Sequence, residues 1–158
     1  MLEPLDGTLF GDDQPCFGCA VNHSIGFKLA FTRDADDVVT RFTAGEQFQG
    51  PPGVMHGGLV MTLADEAAAW AILAGLETFG FTTSVEGKFR KPVRTRVEAE
   101  VRARIVKSSH RVVRVQAEVR QQGELCFEGL FVFALLDAGG AEKLLGGPMP
   151  EGWRRFAR

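Results

Sequence analysis

From residue 97 onward, apolar and polar positions alternate. Val97, Ala99, Val101, Ala103 and Ile105 are interleaved with Glu98, Glu100, Arg102 and Arg104. Val113, Val115, Ala117 and Val119 alternate with Arg114, Gln116, Glu118 and Arg120, and Leu125, Phe127, Phe131, Phe133 and Leu135 continue the rhythm. A period of two is the mark of strands with one wet face. The separators 107–110 and 121–124 are short enough for hairpins. Upstream, GFKLAFT and DVVTRF read as two strands flanking the polar turn 33–36. QFQGPPGVMHGG, rich in Gly and Pro, must be loop. Leu59 to about Gly75 reads as helix, dominated by Ala, Leu and Met.

The expected order is two strands, one long helix, then four strands in a meander. A helix apolar nearly all round needs cover on most sides. A curved antiparallel sheet of about six strands wrapped around it supplies that cover, giving an α+β fold. Such a unit leaves sheet edges open, and pairing two units edge to edge is a natural remedy. The chain is expected to form one domain over 1–158, with a loose lead-in at 1–15 and a tail at 138–158 that ends in WRRFAR, a helical turn or frayed.

Composition narrows the function classes. With 158 residues, 45% hydrophobic and 24% charged, the chain is long enough for a real core and ordinary for a soluble protein. A net charge of −2 advertises neither a nucleic-acid nor a membrane-surface partner. The acidic start MLEPLDGTLFGDDQP does not read as a secretory signal. The apolar stretch Gly57–Leu76 raises the membrane question, but Asp65 and Glu66 at its middle would be expensive in lipid. Three cysteines, an odd count, point to a reducing cytoplasm rather than a disulfide framework.

The candidate chemistry clusters at the helix. Gly57 and Gly58 sit where loop becomes helix, offering unpaired N–H groups and a partial positive charge to a carbonyl that no side chain obstructs. Such a place would polarise a carbonyl and hold a developing oxyanion. Asp65, in mid-helix, is the candidate general base or nucleophile. Glu66 is its rival, about 100° further round, so the two cannot point into one site from the same side. His56 and Asp65 are nine residues apart, on opposite helix faces and roughly 13 Å apart along the axis. One chain can hardly bring both to one carbonyl; two antiparallel chains can, which favours composite sites in a dimer. His56 takes a supporting role, fixing the turn at Gly57. Cys16 and Cys19 form a C-x-x-C followed by His23, incomplete as a zinc site, so a buried turn is expected there and no metal or cofactor.

His56-Gly57-Gly58 followed by LVMTLADEA, with GPPGVM before it, KFRKP after it and CFGCAVNHSIGFKL upstream, resembles the hotdog-fold acyl-CoA thioesterases of the phenylacetate-pathway type. The resemblance covers about residues 16–136. It implies a hotdog fold, a dimer or dimer of dimers, and an acidic catalytic residue at Asp65. It adds Thr82, ten residues before Pro92, where relatives carry a Ser or Thr that positions water. On period-two reading Thr82 shares a face with Ser84, Glu86 and Lys88. Some relatives hold the carbonyl or water with an Asn near Gly50; Gln49 is the local substitute. An acyl-CoA substrate would bring phosphates, for which Arg90, Lys91 and Lys107, with Arg94 and Arg111, are candidates. The expected reaction is hydrolysis of a small aryl or short- to medium-chain acyl-CoA. The alternatives are an acyl-CoA-binding module without turnover and a hotdog hydratase or dehydratase.

Overall fold

The computed structural model describes residues 2–157. Seven strands form one antiparallel sheet in the order β1-β2-β3-β5-β6-β7-β4: β1 Glu3–Pro4, β2 Phe31–Asp34, β3 Asp37–Thr43, β4 Gly80–Phe89, β5 Glu98–Ser108, β6 Val112–Gln121 and β7 Glu124–Leu135. The long helix α1, Gly57–Leu76, packs against one face of the sheet, and a short helix α2, Ala138–Leu145, follows the last strand. This is the α+β architecture that the patterning predicts and the hotdog fold that the resemblance implies.

Small residues let α1 approach the sheet closely. Ala64, Ala67 and Ala68 are fully buried, and they share the core with Ala99, Val101 and Ala103 of β5 and Val115 and Ala117 of β6. Trp70 fills the far half, its ring stacked on Phe31 with centroids 4.8 Å apart. The helix is long and apolar enough to cross a membrane (mean hydropathy 1.5), and half of that stretch is buried within the fold. Arg33 donates to the Ala74 carbonyl, satisfying an orphan acceptor of the last turn.

Three expectations are corrected. The first upstream run is strand only from Phe31. Lys28 has φ 55°, and Phe27 and Leu29 donate instead to the Phe17 and Gly18 carbonyls, both at 2.9 Å. The four later strands are not a full meander: β5, β6 and β7 pair in sequence, but β4 crosses over to the outside of β7. Period two tells which face a residue takes, not which strand lies beside it. The sheet also gains a seventh strand, β1, which pairs with β2. The lead-in is docked through Phe10, whose ring meets Trp70, Trp153 and Phe156. The tail ends in a 3-10 turn, Glu151–Phe156. The β6–β7 hairpin turns on Gln122 (φ 52°) and Gly123 (φ 81°), the two left-handed residues that a tight hairpin loop needs.

Candidate active site

α1 begins two residues earlier than the composition indicates, so Gly57 and Gly58 form its first turn. His56 is the N-cap, and its Nδ1 accepts the Gly58 N–H at 3.0 Å. That gives His56 a defined task and withdraws Gly58 as a free donor. The Gly57 N–H, by contrast, has no hydrogen-bond acceptor among the described residues. It is the amide that the helix start leaves open to a ligand. The half-exposed ring of Phe89 stands beside Gly57, at the distance where an added Cβ would touch it (3.4 Å).

A shallow cleft runs from this point between Met55, Gly57 and Val60 on one side and Phe89, Arg90 and Lys91 on the other. It brings together the open amide, an aromatic wall and two cations. Arg90 donates from Nε to Glu128 at 2.8 Å, and Lys91 pairs with Glu124 at 2.6 Å. Both pairs are largely exposed and can exchange partners at small cost. Lys107 is not brought here. It sits beyond a bulge at the other end of β5, opposite Arg114. Gln49 is also occupied: its Oε1 accepts the Gly53 N–H at 3.1 Å and shapes the Pro-rich loop. Gly50 packs against His56, where an added Cβ would lie 3.4 Å away.

Asp65 and Thr82 meet. Thr82 Oγ1 donates to Asp65 Oδ1 at 2.8 Å. The period-two reading puts Thr82 on one face with Ser84, Glu86 and Lys88. The structure corrects this through a β-bulge. Thr82 pairs with Phe133 and Ser84 with Val132, so Thr83 is an extra residue, and Thr82 turns inward with Val85 and Phe89. Asp65 enters no ion pair among the described residues. Burial holds its carboxyl above the ordinary range; the Thr82 hydroxyl partly opposes this and the charge of Glu66 adds to it.

Glu66 points elsewhere, as the 100° step requires. Cys16 Sγ lies 3.3 Å from its Oε1. Burial chiefly, then the Cys16 charge, pushes the Glu66 carboxyl up to about 7. This contact was invisible in the sequence, because fifty residues separate the partners. Phe89 was missed as well, although the KFRKP segment had drawn attention to its neighbours.

Residues 52–127 match the family described as the thioesterase superfamily. Among solved structures, a thioesterase superfamily protein superposes with a TM-score of 0.73 at 18% identity, over 84% of this chain and 66% of its own. The chain thus spans just under two thirds of that protein's length. A phenylacetic acid degradation-related protein from Ralstonia eutropha gives 0.63 at 21% identity, over 68% of this chain and 85% of its own. A hypothetical thioesterase from Streptococcus pneumoniae, solved with coenzyme A, gives 0.60 at 18% identity, over 65% and 82%. Comparison with curated proteins gives no match. The chain thus has the hotdog fold, and residues 52–127, just under half of it, are similar to the thioesterase superfamily.

Proposed function

We propose that the protein hydrolyses an acyl-CoA thioester to a free acid and coenzyme A, working as a homodimer or dimer of dimers with sites shared between subunits. The observation that carries this reading is Asp65: a carboxylate in a mostly apolar helix, without a cationic partner among the described residues, held by one hydroxyl. An unpaired carboxylate in a partly dry setting is costly as structure and useful as a base.

The open Gly57 N–H and the α1 N-terminus polarise the thioester carbonyl. Asp65 takes a proton from water as its oxygen attacks the carbonyl carbon; the C–S bond then breaks and the CoA thiolate leaves, to be protonated. Direct attack by Asp65, through an anhydride that water opens, is the other route. Within one chain Gly57 and Asp65 are eight residues apart, a rise of ~12 Å, too far to serve one carbonyl. β4 supplies a way round this. It is a ten-residue edge strand, bonded among the described residues only to β7, and carries exposed Phe81 and Phe89. Pairing with the β4 of a second copy would satisfy that edge and lay two α1 helices antiparallel, bringing Gly57 of one toward Asp65 of the other. The coenzyme A held by the S. pneumoniae structure supports a CoA ligand, and Arg90 and Lys91, which line the cleft, would be the cations to meet its phosphates. Three free cysteines fit a reducing cytoplasm.

The test is thiol release from a panel of aryl and short- to medium-chain acyl-CoAs, with Asp65→Asn in parallel. Turnover by the wild type and a loss of about a hundredfold or more in the variant are expected. Turnover untouched by Asp65→Asn would move the role to Glu66, and binding without turnover would replace the enzyme with a binding module.

A further inference from the structure

The C-x-x-C motif is not absorbed by the hydrolytic reading, and the structure gives it a third member. Cys16 Sγ, Cys19 Sγ and a Glu66 carboxylate oxygen all lie within 4.8 Å of one another. Two come from the turn ahead of β2 and one from the middle of α1. The turn is built to hold this place. The Ala20 N–H closes onto the Cys16 carbonyl at 3.1 Å, and the Phe17 and Gly18 carbonyls are tied to residues 27 and 29. Gln14 braces both cysteines, its Oε1 accepting the Cys16 N–H at 3.1 Å and its Nε2 lying 3.5 Å from Cys19 Sγ. Gly18 lies directly on the carboxylate: a Cβ there would come within 2.4 Å of Glu66 Cδ. No larger residue lets the turn sit so close.

The second observation is electrostatic. Glu66 is largely buried and enters no ion pair among the described residues. His23 is engaged elsewhere, its Nδ1 accepting the Ile25 N–H and its ring against Phe17. Three groups that become anionic on losing a proton thus converge with no positive side chain to balance them. Buried charges are normally paired or bound to metal.

We propose that Cys16, Cys19 and Glu66 bind one divalent cation of borderline softness, of the zinc class, with water or another small ligand in a fourth position. Two thiolates and one carboxylate select such an ion over calcium or magnesium. Metal–sulfur bonds of about 2.3 Å in a tetrahedron place the sulfurs ~3.8 Å apart, within the present spread of the donors. Binding releases whatever protons the two cysteines and Glu66 still carry, with no change of oxidation state. The ion would staple the N-terminal segment to α1 one residue from Asp65, a positioning role independent of the hydrolytic reading.

The test uses the full chain, purified under reducing conditions without chelator, then stripped and titrated with Co²⁺. One equivalent should bind, with a thiolate-to-cobalt band in the near ultraviolet and tetrahedral ligand-field bands in the visible. Cys16→Ser and Cys19→Ser should each abolish the near-ultraviolet band or cut it strongly. Glu66→Gln should weaken binding at least about tenfold, while Cys126→Ala leaves it unchanged. X-ray absorption of the zinc-loaded wild type depends on no variant and should show two sulfur neighbours with lighter atoms. A first shell without sulfur, a featureless cobalt titration, or unchanged affinity in Glu66→Gln would each overturn the proposal. So would a chain lighter by two hydrogens, with Cys16 and Cys19 joined, after isolation under reducing conditions.

Discussion

Thr82→Val removes one hydroxyl while keeping the shape of the side chain and its preference for strand. In the wild type that hydroxyl donates to Asp65 at 2.8 Å and favours the ionised carboxylate against the burial that disfavours it. A hydrogen bond to a charged group contributes about 1.5–3 kcal/mol. Thr82 and Asp65 are both half-buried, and solvent screening brings the figure to ~1 kcal/mol. That is a factor of about five between ionised and protonated Asp65. A base must be ionised to act, so the acid limb of kcat/KM should move to higher pH in the variant. At a pH on that limb the rate should fall about fivefold, with a smaller change on the plateau. The assay is thiol release across pH on the best acyl-CoA, with circular dichroism to verify the fold. A limb that stays in place while the plateau collapses would refute the reasoning, because Thr82 would then act on the substrate or its water and not through Asp65.

His56→Ala should cost about 1 kcal/mol, as N-cap losses do, and lower Tm by roughly 2–4 °C in a thermal melt. Asp37 is buried, which raises its carboxyl, but Arg104 and Arg102 together outweigh this and hold it below the ordinary range. Its contribution is therefore present above the unfolded value and lost as pH falls through the folded one. Asp37→Asn should cost about 1–2 kcal/mol at neutral pH, with the gap to wild type closing in acid urea melts. Sedimentation equilibrium should return an even multiple of the 17.2 kDa chain mass; a monomer at micromolar concentration would remove the composite site.

The parts legible in the sequence were those governed by a local period. Alternation fixed which residues of β5, β6 and β7 from Phe127 onward face the helix, because one face is buried and a slip would expose it; Leu125, in phase with them by sequence, pairs with Arg120 beyond a bulge and leaves that face. The run of Ala and Leu around Asp65 announces α1, and the 100° step alone separates Asp65 from Glu66. The parts that were not legible depend on distant neighbours. Nothing in GFKLAFT tells that Lys28 turns left-handed to let Leu29 reach the Gly18 carbonyl. Thr82-Thr83-Ser84 are three polar residues with nothing among them to announce a bulge. The partner of Glu66 lies fifty residues away. At Gly58 the sequence showed a donor but not that the adjacent imidazole would claim it.

The bulge at Thr83 separates two ways of counting along the chain. By sequence, Thr82 is seventeen residues after Asp65 and ten before Pro92. By ladder position in the sheet it is one step closer to Pro92, since Thr83 has no opposite number in β7. A relative with an unbroken strand would carry the hydroxyl that serves its acidic residue one place nearer that proline. Aligning such chains by spacing alone would pair Thr83 with a residue that does Thr82's work, and the error would vanish once strands were matched rung by rung.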